Sequence, residues 1–278
     1  MELNIIYMYI GFLLAAYSVI ANDSIQTLGT FLASNKAHFK WYTLWFAASV
    51  MLVYTITYGW LNYDGDISYG RLTRIPFQEV QWYHAAAPAV LLLLTRKGIP
   101  VSTTFLVLSA FASFTVLEKV LMKSIVGYGV AALSAYIIWV VLERYINEKK
   151  DHPEHIKFWR VGQWVTSGWL WFAWLQHDMA NIAVFLPRQL MLGDLLMVLV
   201  ATVVILGYVF YTGGGRIQEV VINKHGTRFA RSSTIINLVY AFVLYFFKEL
   251  NDLPMSTTWV FVGLLTGREL AISSVIEN

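Results

Sequence analysis

Of the chain's 278 residues, 58% are hydrophobic and 13% charged, with a mean hydropathy of +0.57; soluble domains carry roughly a quarter charged residues. That balance excludes a soluble globular protein, and it leaves the formal net charge of +3 to be explained by loop asymmetry and not by nucleic acid. The absence of cysteine excludes disulfide frameworks, thiolate metal sites and cysteine nucleophiles.

The first apolar segment, 3–21, follows Glu2 instead of a basic leader and is expected to be a retained helix, not a secretory signal. Further apolar segments follow at 42–61, 82–95, 100–117, 124–143, 158–176, 195–212, 233–250 and 254–271. Several approach the roughly 20 residues that a helix needs to cross about 30 Å of hydrocarbon. The connections are short, which leaves no room for a soluble domain, and 100–117 and 254–271 are short enough to be re-entrant hairpins. If all the segments cross, 6 of the 20 Lys and Arg fall on the side of the amino terminus and 14 on the other. The positive-inside rule then predicts an external amino terminus and a cytoplasmic carboxyl terminus, in a plasma-membrane protein.

Two strings recur in the same order. Asn22-Asp23-Ser24-Ile25-Gln26 is echoed by His177-Asp178-Met179-Ala180-Asn181, and Pro100-Val101-Ser102-Thr103-Thr104 by Pro254-Met255-Ser256-Thr257-Thr258. The matched spacing predicts an internal duplication. Repeat 1 is expected over about 1–120 and repeat 2 over about 155–278, with a linker helix in 121–150 and a hinge at Glu148 to Lys157 around Pro153. Five crossings separate the two starts, and an odd number inverts the second repeat. The expected fold class is therefore an all-α polytopic membrane protein, one transport domain of two inverted-topology repeats with broken or re-entrant helices at the motifs.

Asp23 and Asp178 each close a long apolar segment in this reading, and a carboxylate at such depth is costly unless it faces a cavity or a cation. Gln26 and Asn181 follow three residues on and would share a helical face with the aspartates. Carboxylate and amide oxygens suit a hard cation, so Asp23, Asp178, Gln26, Asn181 and Asn22 are candidates for binding sodium or a proton. In the second string, proline fits a first helical turn, and the hydroxyls of Ser102, Thr103, Thr104, Ser256, Thr257 and Thr258, with free amides, can donate to an oxyanion. His177, in the place of Asn22, could join or titrate near the site. Arg188, behind Pro187, could pair with an oxyanion, although a snorkelling interfacial role is the simpler reading.

Gly213 to Arg231, with three glycines followed by basic residues, is expected to lie on the cytoplasmic surface as an amphipathic segment. It lacks the Lys-Ser/Thr and the preceding strand of a phosphate loop. The 11 tryptophans fit interface belts and lipid-facing packing.

Together the strings resemble the duplicated signature of the inorganic phosphate transporter family, over nearly the whole chain. Asn22, Asp23, Gly29, Thr30, Pro100, Ser102, Thr103 and Thr104 fit in the first half. Asp178, Ala180, Asn181, Pro254, Ser256, Thr257 and Thr258 fit in the second, where the glycine-rich stretch with Arg216 resembles the family's segment between helices. Gln26 and His177 replace asparagines, Phe105 and Trp259 stand where the family has histidine, and the large central loop of many members is absent, as in a divergent, compact relative. The resemblance implies sodium- or proton-coupled uptake of phosphate, with sulfate as an alternative anion. No cofactor beyond the coupling ion is expected; the expected partners are the oxyanion, the bilayer and a second copy of the chain in a homodimer. Two other classes are compatible with the residues: a membrane enzyme using His177 and Asp178, against which stands the angle of about 100° between their side chains on a helix, and an anion sensor that kept the fold and lost coupling.

Overall fold

A computed structural model describes residues 2–99, 101–145, 156–215, 218, 230–250 and 254–276, and every regular element among them is helical. The helices are α1 (Glu2–Asn35), α2 (Trp41–Asn62), α3 (Ala86–Arg96), α4 (Phe114–Tyr145), α5 (Ile156–Ala183), α6 (Leu192–Tyr211), α7 (Ala230–Leu250) and α8 (Thr257–Ile276). A 3₁₀ turn, Trp82–Ala85, leads into α3, and a π-helical turn, Thr104–Leu108, lies between α3 and α4. The protein is integral to the membrane: α1, α2, α4 and α6 are long and apolar enough to span it. On α6, Leu196, Val200, Val204 and Tyr208 are all exposed at four-residue spacing, a stripe that faces lipid.

Several expectations are corrected. α1 has 34 residues, about 51 Å of helix at 1.5 Å per residue, and runs on beyond the apolar segment to Asn35. α5 likewise continues to Ala183. Asp23 and Asp178 therefore lie within helices and do not close them. The segment 100–117 is not one helix: the π turn ends at Leu108 and α4 begins at Phe114, ahead of the expected linker helix. Pro254 precedes α8 by three residues, so it does not occupy the first turn; Ser256 caps that helix instead, accepting from the amide of Trp259 at 3.2 Å. Trp171 and Trp174 are fully buried and stacked at 4.8 Å, and Trp171 donates to the carbonyl of Ala48 at 3.1 Å, so these two are core residues and not belt residues. Pro100 and most of the expected hinge, including Pro153, lie outside the described residues. The expected surface segment is described only at residues 213–215, 218, 230 and 231, so Arg216 is outside as well.

α1 is central, packing on α3, α5 and α6, while α5 lies along α7 and α4 along α8. The α4–α8 contact depends on Gly263 and Gly267: a methyl group on either would collide with the carbonyl of Tyr128 or of Ala132 on α4. Two glycines four apart let helix backbones approach closely where lipid offers no hydrophobic drive for association. The loop after α2 folds back over the bundle, with Gly65 at φ +87° against the backbone of Leu190. There the amide of Leu190 donates to the Gly65 carbonyl at 3.0 Å, and the Trp60 indole donates to the Leu190 carbonyl at 2.8 Å.

Candidate functional site

α1 and α5 bring Asp23 and Asp178 to one buried point, and the Ser-Thr-Thr strings meet them there. Both carboxylates are fully buried. Thr103 Oγ1 lies 2.8 Å from Asp23 Oδ2 and 3.3 Å from Asp178 Oδ1, so one hydroxyl is within reach of both acids. On α1 the carboxamides of Asn22 and Gln26 donate to Asp23 Oδ1 at 2.5 and 3.3 Å. On α5 the Asn181 amide donates to Asp178 Oδ1 at 2.6 Å and to Thr103 Oγ1 at 3.0 Å. The three-residue spacing read from the sequence does place each amide beside its aspartate.

The two Pro-x-Ser-Thr-Thr strings face one another. Thr104 Oγ1 donates to the carbonyl of Met255 at 3.1 Å, and Thr258 Oγ1 donates to the carbonyl of Val101 at 3.2 Å. Thr104 matches Thr258 in the sequence repeat, and Val101 matches Met255, so the two bonds are reciprocal. Ser102 repeats the capping role of Ser256, accepting from the amide of Phe105 at 3.3 Å. The rings of Phe105 and Trp259, again at matched positions, lie 5.3 Å apart. The Thr257 carbonyl accepts from Tyr240 at 2.9 Å.

Not every candidate joins this cluster. Nε2 of His177 lies 2.8 Å from the carbonyl of Leu244 on α7, while Asp178 faces Thr103, so neighbouring residues serve different interfaces. Arg188 is half-buried in the loop after α5, bonded to the carbonyls of Ile75 and Pro76 at 3.2 and 3.5 Å and lying over the Phe77 ring. Its surroundings are loop backbone and an aromatic face, and its Nη1 is buried.

Sequence reasoning missed Arg71. This buried guanidinium donates through Nε to the carbonyl of Gln176 at 2.5 Å, two residues before Asp178. Its neighbours in sequence, Asp64, Gly65, Asp66 and Gly70, read as an exposed turn. Also missed was a polar network about two to three turns along α1 from Asp23. Thr30 donates to Asn237 at 2.9 Å, Asn237 to Ser167 at 2.8 Å, Asn35 to Gln163 at 2.9 Å, and Gln163 to Ser34. The indole of Trp164 donates to Asn35 at 3.2 Å. The network joins α1 to α5 and α7 through neutral groups.

Three buried oxygens beside the carboxylates have no donor: Asn22 Oδ1, Asp178 Oδ2 and Asn181 Oδ1. Each can only accept, so what complements them carries positive charge or a proton. Carboxylate, carboxamide and hydroxyl oxygens are the donor types that hard cations prefer.

One solved structure, entitled "The sodium-dependent phosphate transporter", superposes with a TM-score of 0.71, covering 100% of this chain and 92% of that one at 19% sequence identity. The chain has the fold of that transporter. No protein-family model matches the sequence, and no curated protein matches it. The all-helical membrane fold expected from the sequence is thus the one found.

Proposed function

We propose that the protein is a secondary transporter that carries inorganic phosphate across the membrane together with sodium ions or protons. The observation that carries this reading is the convergence of Asp23 and Asp178, from matched strings 155 residues apart, on the single hydroxyl of Thr103. A structural role alone gives no reason to bury two acids side by side, since like charges in a medium of low polarity repel strongly. A coupling cation or proton between them removes that repulsion, with the unpartnered oxygens of Asn22, Asp178 and Asn181 as its further ligands. Sodium is the first choice, because the structural neighbour is named for it.

The oxyanion belongs at the facing Ser-Thr-Thr strings, where Thr103, Thr104, Ser102, Ser256, Thr257 and Thr258 supply hydroxyls and the starts of helical turns supply partial positive charge. In the present conformation Thr104 and Thr258 donate to carbonyls of the opposite string. An arriving anion exchanges those weak neutral bonds for charge-assisted ones. The reciprocal bonds support two inverted repeats, and rocking of one repeat against the other then exposes the site to each side in turn.

The test is reconstitution in liposomes, following radiolabelled phosphate with and without an inward sodium gradient and with excess unlabelled sulfate. Gradient-dependent uptake that resists sulfate establishes a phosphate symporter. Inhibition by sulfate reassigns the anion, and saturable phosphate binding without uptake under sodium or proton gradients identifies an anion sensor.

A further inference from the structure

A cavity of about 270 Å³ lies between α1, α2 and α5. Its floor is built by the buried Leu28, Phe31 and Trp171, and its mouth by the part-exposed Ala47 and Gly168 and the exposed Val165. The gap exists because Ala47 and Gly168 bring almost no side chain to it: a methyl group on Gly168 would meet only the Met51 side chain, at an ordinary contact distance of 3.8 Å. No ionisable residue is among the described lining, and its single hydroxyl, on Ser167, already accepts from Asn237 at 2.8 Å. Beside the mouth on α2, Phe46 and Val50 are exposed, so the opening is continuous with the apolar surface that this spanning helix turns to lipid. Ala47 to Met51 lie about 9–15 Å along α2 from its start at Trp41. Trp41 and Tyr42 are exposed at that start and mark headgroup depth, which puts the cavity at the level of the acyl chains.

We infer that this cavity holds an acyl chain of a membrane lipid, inserted from the bilayer between α2 and α5 until it rests on α1. Left empty, the cavity would cost its lining the dispersion contacts that a close-packed interior makes. Water is a poor filler, because a buried water needs two to four polar partners and this lining offers one hydroxyl that is already bonded. A methylene chain asks for no hydrogen bond, fits an opening between alanine and glycine, and is present at this depth all around the protein. The occupant touches three helices at once and reads no headgroup, since no charged residue is among the described lining. The inference is independent of transport and concerns a site apart from the carboxylates.

The purified full-length protein is reconstituted in phosphatidylcholine nanodiscs containing a small fraction of phosphatidylcholine with a photoreactive diazirine in mid-chain, illuminated, and the adducts are located by peptide mass spectrometry. Labelling around Ala47 and at Val165 to Gly168 is expected to exceed that of Leu196, Val200 and Val204, which face lipid on the open surface of α6. Phosphatidylglycerol with the same labelled chain is expected to label the site equally; a strong preference for either headgroup would overturn the assignment to the chain. Gly168→Leu, whose side chain takes up the cavity, is expected to lower labelling of the site about tenfold or more, since excluding two buried methylene groups suffices for that. Ala47→Leu narrows the mouth and is expected to act in the same direction, while unchanged α6 labelling and the thermal midpoint report that both variants fold. Labelling no higher than on α6, or undiminished in both variants, would reduce the site to ordinary surface contact with lipid and overturn the inference. Cross-links between copies of the chain at Val165, without a lipid adduct there, would overturn it in favour of a second copy as the cover.

Discussion

Asp23 and Asp178 lie on different helices, in different halves of the sequence, and are tied together by Thr103, whose hydroxyl is 2.8 Å from one and 3.3 Å from the other. The three residues form a bridge between α1, α5 and the turn after α3, and most of what the protein is expected to do can be tested on them.

Asp23→Asn is expected to abolish gradient-driven uptake while the protein still folds, because the amide keeps the shape of the carboxylate and one acceptor oxygen for Asn22 and Gln26, but not its charge. Thr103→Val, which removes the shared hydroxyl, is expected to lower uptake at least tenfold, and Thr103→Ser to restore most of it. Wild-type uptake by Asp23→Asn in proteoliposomes would show that Asp23 is not a coupling residue.

The Asn35–Gln163 pair separates an unmade hydrogen bond from a missing one. Gln163→Leu removes an acceptor of the buried Asn35 amide and a donor to half-buried Ser34, and is expected to destabilise by about 1–3 kcal/mol. Replacing both Asn35 and Gln163 by leucine removes both partners and is expected to cost less than the two single changes combined. Thermal unfolding in detergent measures all three variants.

Gly267→Ala places a methyl group on the carbonyl of Ala132 in α4. Overpacking of this kind costs about 1–3 kcal/mol. The expected outcome is a lower melting midpoint than wild type, whereas Gly193→Ala, with open space around its position, leaves the midpoint nearly unchanged.

Tyr69 lies in the loop after α2, outside the spans, and donates to the carbonyl of Thr55 at 2.6 Å. Burial pushes its phenol well above the usual tyrosine range. A raised folded-state pKa contributes stability that is complete below the unfolded value, near ~10, and is lost as pH rises toward the folded value. Wild type is therefore expected to lose stability at alkaline pH faster than Tyr69→Phe, as read from melting midpoints between about pH 8 and 11.

The duplicated strings were legible because the aspartates, carboxamides and hydroxyls of the site are short motifs whose spacing survives when most of the sequence has changed. That α1 runs on for about three turns past Asp23 was not legible. Asn22, Asp23, Ser24, Gln26 and Thr27 end an apolar run, and hydropathy records what faces lipid, whereas α1 continues there because α5 and the Val101–Thr103 strand of chain supply partners for its polar face. Trp171 and Trp174 were misassigned for the converse reason: an aromatic residue looks the same in the core and at an interface until its neighbours are known. Arg71 gave no local signal at all, since its partner, the Gln176 carbonyl, is 105 residues away.

The close approach at Gly263 and Gly267 has a mechanical consequence. α4, which contains the linker helix expected from the sequence, is clamped along α8, so in the transport proposed above the two helices move as a single lever. In the rocking proposed above, the slip plane then runs elsewhere, along the α1–α5 seam, where the contacts beside the carboxylates are hydrogen bonds that can be exchanged and not interlocked backbones.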